Sequence, residues 1–140
     1  MYCEITDITT TIGEASLIEL TDDANTGEVD EAVVTAEIVN ADAEINGYCG
    51  KKYSVPFATV PALIKKYSVD ITIYNLYSRR RGAPEDRRNR YKDAIAFLQG
   101  ISAGKNTLGE SDPDGTPAST DAPTISSSVR IFSRTKMEGF

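Results

Sequence analysis

The sequence predicts an all-α protein: a compact bundle of about four helices with short N-terminal helices, then a flexible linker and an extended C-terminal docking tail. Apolar residues recur at helical spacing over three long stretches between residues 30 and 104, and Gly or Pro residues separate the stretches. Residues 104–124 are then dominated by Gly, Ser, Thr, Pro and Asp, beyond which apolar residues return.

Two short helices are expected first. Thr6 caps a short turn or helix over residues 7–12 that Gly13 ends, and residues 14–20 form the second short helix. The apolar residues that the second helix offers to the core are Leu17, Ile18 and Leu20. Residues 21–27 have the composition of a loop.

A long helix should begin near Asp30 and run to about Asn46, with Gly47 as its stop. Its apolar arc is wide, which is typical of a helix that packs on two neighbours. One stripe of that arc contains Val33, Ala36, Asn40 and Ala43, and its flank contains Val34, Ile38 and Ile45.

Two further helices follow, each with a proline suited to its first turn. The first begins at Pro61 and runs to Ser78 through Leu63, Tyr67, Ile71, Tyr74 and Tyr77. Residues 79–83 interrupt the pattern. Pro84 restarts it, with acids at the positive end of the helix dipole. That helix reaches Gly104 through Tyr91, Ala94, Ile95, Leu98 and Ile101.

This pattern divides the chain into a helical domain (1–103), a flexible linker (104–128) and a C-terminal docking segment (129–140). The body is large enough for one small core. In the docking segment, side chains alternate between two faces with a period of two. Apolar residues at the end of a flexible linker need a surface to dock on, either on the body of the same chain or on another subunit. The residues expected to dock are Val129, Ile131, Phe132, Arg134 and Phe140.

Composition narrows the function. The net charge of −6 argues against general coating of nucleic acid. The chain has no run of 18 apolar residues, so no membrane span is expected. The N-terminus lacks a signal-peptide pattern, so a cytoplasmic location is expected. The chain has no histidine, which removes the commonest general base and metal ligand. Cys3 and Cys49 are expected to be free thiols. We therefore expect no catalytic residues, no cofactor and no metal.

Residues 22–30 have some features of a calcium loop. With Gly27 at the sixth position, Asp22 falls at the first, but Val33 occupies the twelfth, where a bidentate acid is needed. A structural turn is the better interpretation, because Asn25 and Gly27 tolerate turn geometry and Asp30 can cap the next helix.

Six arginines lie within twelve positions, from the break between two predicted helices into the start of the second: Arg79, Arg80, Arg81, Arg87, Arg88 and Arg90. They are either a solvated helix end, where cations complement the dipole, or a surface that contacts DNA phosphates or an acidic partner. Exposed charges of this kind contribute little to stability. Six of the seven tyrosines lie between residues 48 and 91, where helical spacing favours packing over base stacking.

Several ordered segments resemble those of a known family, although no single motif is diagnostic. They are residues 2–8, 13–14 and 19–22, then Ala43-Glu44-Ile45-Asn46-Gly47-Tyr48 with 52–57, residues 60–63 with 70–77, 90–94, 130–134 and the terminal Gly139-Phe140. The series resembles the Mu-like phage and prophage family of small head proteins.

That resemblance implies a subunit of the phage neck: a head-completion or head–tail connector protein that forms a ring on the portal and links the DNA-filled head to the tail. The implied partners are the portal, adjacent neck or tail proteins, other copies of the chain and, non-specifically, packaged DNA. The implied location is the virion neck, after synthesis in the host cytoplasm. The alternative from the sequence is a DNA-binding or regulatory protein that uses the Arg79–Arg90 cluster.

Overall fold

A computed structural model describes residues 1–109, and all regular structure among them is helical. The five helices are α1 (Ile5–Ile12), α2 (Glu14–Thr21), α3 (Glu31–Cys49), α4 (Ala62–Arg80) and α5 (Glu85–Ser102). The all-α prediction is confirmed. Most of the predicted linker and the whole docking segment lie outside the described residues.

Helix α1 begins two residues earlier than a cap at Thr6 would allow, so the predicted cap at Thr6 is wrong. Glu4 occupies the N-cap and forms a capping box with Asp7, whose Oδ2 accepts the Glu4 N–H at 2.9 Å. This reciprocal arrangement satisfies backbone donors that a single Thr hydroxyl at position 6 could not reach. Gly13, at φ 81°, then separates α1 from α2.

Helix α3 begins as predicted. Asp30 is its N-cap, and the Asp30 carboxylate accepts the N–H groups of Ala32 and Val33 at 3.0 and 3.2 Å. The predicted stop at Gly47 is wrong, because α3 continues to Cys49 and Gly47 lies exposed inside it. A glycine weakens a helix by only about 1 kcal/mol, which tertiary packing overrides here.

The buried face of α3 is the flank of the predicted arc. Val34, Ile38, Ala41, Ile45 and Cys49 are fully buried, whereas Ala36, Asn40 and Ala43 of the other stripe are exposed. The larger side chains face α4, the neighbour with which α3 shares its most extensive contact.

Helix α4 is the centre of the molecule and contacts all four other helices. Its residues 67–73 are all buried. One side of α4 contributes Ile64, Tyr67 and Ile71 to a core shared with α3 and α5. The other side contributes Val69, Ile73 and Leu76 to a second core shared with α1, α2 and the first half of α3.

A polar cluster joins the N-terminal segment to the α3–α4 interface. The Ser68 hydroxyl donates to Asp42 Oδ1 at 3.0 Å, and Asp42 Oδ2 accepts the Tyr2 N–H at 3.0 Å. Cys3 Sγ lies 3.3 Å from Ser68 Oγ, and burial raises the pKa of the Cys3 thiol. Buried polar groups thus find partners in one another, and Asp42 fixes the position of the segment that precedes α1.

The chain stays attached to the body beyond α5. The Gly100 carbonyl accepts the N–H groups of Lys105 and Asn106 at 2.8 and 3.1 Å. Lys52 Nζ donates to the Asn106 carbonyl at 3.2 Å, and the Leu108 N–H donates to the Tyr53 hydroxyl at 3.1 Å. Residues 104–109 therefore end beside the segment that follows α3.

Two adjacent residues of α3 test this assignment of faces. Ile38→Ala removes a fully buried side chain and should lower the free energy of unfolding by about 2–5 kcal/mol. Val39→Ala alters a side chain that is 52% exposed and should change the free energy of unfolding by about 0.5 kcal/mol or less. Urea unfolding followed by helical circular dichroism measures both. Equal losses would contradict the observed faces.

Candidate functional site

The first three arginines of the cluster lie at the end of α4 and bind the end of α2. Arg79 Nη1 donates to the Leu20 carbonyl at 3.2 Å, and its Nη2 pairs with the Asp23 carboxylate. Arg80 Nη1 donates to the Asp22 carbonyl at 2.9 Å and lies 3.3 Å from Asp23 Oδ1. The last carbonyls of a helix have no partner within it, so these two guanidinium groups cap α2 from outside.

Arg81 is held less tightly than its two neighbours. Its guanidinium pairs with Glu19, but both side chains are more than half exposed, at 58% and 53%. The side chains of Arg79 and Arg80 are only 29% and 32% exposed. The solvated-end interpretation therefore fits Arg81 alone, whereas Arg79 and Arg80 connect α4 to α2.

The loop between α2 and α3 is ordered around Asp22. The Asp22 carboxylate accepts the Thr26 N–H at 2.9 Å and the Gly27 N–H at 2.7 Å, and these bonds lower its pKa. Asn25, at φ 55°, and Gly27, at φ 80°, provide the left-handed conformations that the turn needs. These contacts support the structural interpretation of the loop. Within residues 1–109, no three His, Cys, Asp or Glu side chains converge to hold a metal ion.

The three later arginines have separate surroundings. Arg87 lies in the first turn of α5, and its buried Nη1 has no hydrogen-bond partner among residues 1–109. Arg88 donates to the Ala83 carbonyl at 3.1 Å. Arg90 reaches Asp70 at 3.8 Å, and its side chain is 56% exposed. Arginines that are clustered in the sequence therefore make separate contacts in the structure. Among these later three, Arg88 and Arg90 are more available to a phosphate than Arg87.

A charged groove of about 430 Å³ lies between α1, α4 and α5. Lys65 Nζ pairs with Asp7 Oδ1 at 2.9 Å across its rim, which raises the pKa of Lys65. The hydrogen bond from the Glu4 N–H, and after it the bond from Lys65, lower the pKa of Asp7. Asp70, which is 7% exposed, and Arg90 also line the groove. Sequence reasoning missed it, because its charges come from three helices and share no local motif.

The tyrosines pack as the helical spacing predicts. Tyr74 and Tyr91 stack with their centroids 4.1 Å apart, and the Tyr91 hydroxyl donates to Glu44 Oε1 at 3.0 Å. Burial is the main reason why the pKa of Tyr91 rises to about 12. Tyr53 and Tyr67 are buried in the core that α4 shares with α3 and α5.

The two cysteines, Cys3 and Cys49, are free, as predicted, and both are buried. Burial raises the pKa of Cys49 to about 11, so its thiol is not activated as a nucleophile. No helix in the described range 1–109 is both long and apolar enough to cross a membrane. The docking residues Val129, Ile131, Phe132, Arg134 and Phe140 lie outside that range.

The different contacts of Arg79 and Arg81 lead to a matched pair of variants. Arg79→Ser removes the hydrogen bond to Leu20 and the pair with Asp23, and should lower the free energy of unfolding by about 1–2 kcal/mol. Arg81→Ser removes an exposed pair and should lower it by about 0.5 kcal/mol or less. Thermal unfolding measures both. A loss from Arg81→Ser as large as that from Arg79→Ser would contradict the proposed cap.

The lowered pKa of Asp22 gives a pH-dependent prediction. Its ionised form is favoured in the folded chain, so it stabilises the fold above the ordinary Asp pKa of about 3.9, and that stability is lost as pH falls through the lower folded pKa. Asp22→Asn should therefore be less stable than the unmodified chain near neutral pH, and the difference should shrink in acid. Urea unfolding over a pH series measures it. A difference independent of pH would refute this role of the charge.

Comparison with known proteins identifies a family that covers most of the chain. The family model for bacteriophage Mu Gp36 matches residues 2–127. The Mu-like prophage FluMu protein gp36 of Haemophilus influenzae is 33% identical over 112 residues, covering 80% of this chain and 78% of that protein. Gene product J of Escherichia phage Mu is 29% identical over 115 residues, covering 81% of this chain and 79% of that protein. The chain belongs to the bacteriophage Mu Gp36 family.

Proposed function

We propose that this chain is a structural protein of the phage neck, a head-completion or head–tail connector subunit without catalytic activity. The observation that carries the proposal is the family match over residues 2–127, which spans the whole helical body. In the proposal, copies form a ring on the portal and connect the DNA-filled head to the tail. The partners are the portal and the adjacent neck or tail proteins, and the subunit passes from the host cytoplasm to the virion neck.

The body is suited to a scaffold role. Two cores on opposite sides of α4 hold the five helices together, and charged side chains occupy the groove between α1, α4 and α5. Charges of both signs, such as Asp70 and Arg90, provide partners for the polar surface of another subunit. A head-to-tail contact between copies would close a ring, since it joins two different faces of the subunit.

Contact with packaged DNA is a smaller part of the proposal. Arg79 and Arg80 are engaged within the chain, so phosphate contacts would fall mainly on the exposed Arg81, Arg88 and Arg90. Such contacts would be electrostatic and salt-sensitive. The internal engagement of Arg79 and Arg80 counts against the alternative of a DNA-binding or regulatory protein, whose affinity would depend on the whole cluster.

The experiment that tests the neck role is deletion of Val129–Phe140 in the phage. The variant should keep a folded helical body, because residues 1–109 contain both cores, but it should not be incorporated into particles. Immunoelectron microscopy and immunoblots of purified particles measure incorporation, and circular dichroism measures folding.

Two substitution variants sharpen this experiment. Ile131→Ser with Phe132→Ser should reproduce the assembly defect, whereas Ser126→Ala with Ser127→Ala in the predicted linker should assemble normally. Normal incorporation of the deletion variant would overturn the docking role. Localisation of the intact protein away from the neck would overturn the proposed function itself.

A further inference from the structure

The outer face of α3 is an exposed apolar surface without a partner among residues 1–109. Val39 is 52% exposed, and Met1 is the other large hydrophobic side chain exposed in that range. Ala36 and Ala43 lie beside Val39 on the face opposite the buried stripe, and both are exposed. Helices α4 and α5 pack against the inner side of α3 and leave this face uncovered.

The charge of α3 is all of one sign. Its residues 31–49 contain Glu31, Glu37, Asp42 and Glu44 and no Lys or Arg. At a helical angle of 100° per residue, the outer face runs from Val39 over Ala43 and Ala36 to Asn40. Glu37 and Glu44 border this face beyond Asn40, and Glu31 borders it beyond Val39. Asp42 points to the inner side, where it binds Tyr2 and Ser68. An occupant of this face should therefore combine apolar and basic side chains.

The predicted docking segment has this composition. It contains the apolar residues Val129, Ile131, Phe132, Met137 and Phe140. Its charged side chains are three basic ones, Arg130, Arg134 and Lys136, against one acidic one, Glu138. The segment is thus complementary to α3 in both apolar character and charge.

The attachment point of the linker places the segment within reach of this face. Leu108 is bonded to Tyr53, four residues beyond the end of α3, so the chain leaves the body beside that helix. Residues 110–128 would span an average of about 25 Å as a flexible chain, and α3 is about 28 Å long. A tether of this length gives an effective concentration on the order of millimolar.

We propose that Val129–Phe140 docks on the outer face of α3 of the same chain, with its apolar side chains over Val39 and its basic side chains beside the flanking acids. The inference goes beyond the neck role, because it assigns the occupant of α3 in the free subunit. In that state the segment covers the face, and it has to leave α3 before it can bind another protein.

A tryptophan reporter tests this proposal. The chain has no Trp, so Phe132→Trp introduces a single one into the docking segment. In the purified full-length chain, its emission should be blue-shifted and protected from acrylamide quenching. Adding Val39→Lys should raise the quenching constant several-fold, since it removes apolar contact and places a charge of the same sign as the segment on the face. Ala36→Lys should act in the same way.

The matched control is Ala96→Lys, which adds the same charge at an exposed position of α5 and should leave quenching unchanged. Unaltered circular dichroism confirms that each variant is folded. An unprotected Trp in the full-length chain, or protection that survives both α3 substitutions, would overturn the proposal. Protection that is lost on dilution would also overturn it, because the segment would then bind a second copy. The purified chain is measured alone, so these outcomes leave the neck role to the particle experiment.

Discussion

Burial of the middle of α4, residues 67–73, on all sides is the constraint on which the rest of the structure depends. A helix surrounded by four others cannot have one polar face, so its polar residues must find partners inside the molecule. Ser68 donates to Asp42, Thr72 donates to the Ser68 carbonyl at 2.7 Å, and Asp70 faces Arg90. These contacts explain why the N-terminal segment, α3 and α5 are positioned by the same central helix.

The C-terminal end of α4 also positions α2 and the loop that follows it at the surface. Arg79 and Arg80 cap the carbonyl end of α2, and Asp22, just beyond that end, organises the loop that leads to α3. An arginine cluster in an acidic chain would ordinarily indicate a ligand surface. Here Arg79 and Arg80 instead bind carbonyls at the end of α2 that have no partner within that short helix. Such a helix is marginal alone, because a few turns cannot offset the cost of nucleation.

Much of the fold could be predicted from the sequence, because helical periodicity and the Gly and Pro boundaries are local signals. The errors in α3 arose where tertiary contact decided between local alternatives. Both stripes of α3 are apolar enough to be buried, and only packing against α4 selects the one with Ile38. The groove could not be predicted, because Asp7, Lys65 and Asp70 meet only after the helices pack. The partners of Arg79 lie more than 50 residues away, at Leu20 and Asp23.

The bonds that hold residues 104–109 to the body have a consequence for how this chain can vary. Asn106 and Leu108 form a fixed junction with Lys52 and Tyr53, so the segment after Gly109 starts from a defined point. Insertions or deletions in the linker predicted beyond that point would alter only the reach of the proposed tether, and each doubling of its length would cost only about 0.6 kcal/mol in closure entropy. The same changes before Gly109 would dislodge the junction. The number of residues should therefore vary freely among relatives after Gly109 and hardly at all before it.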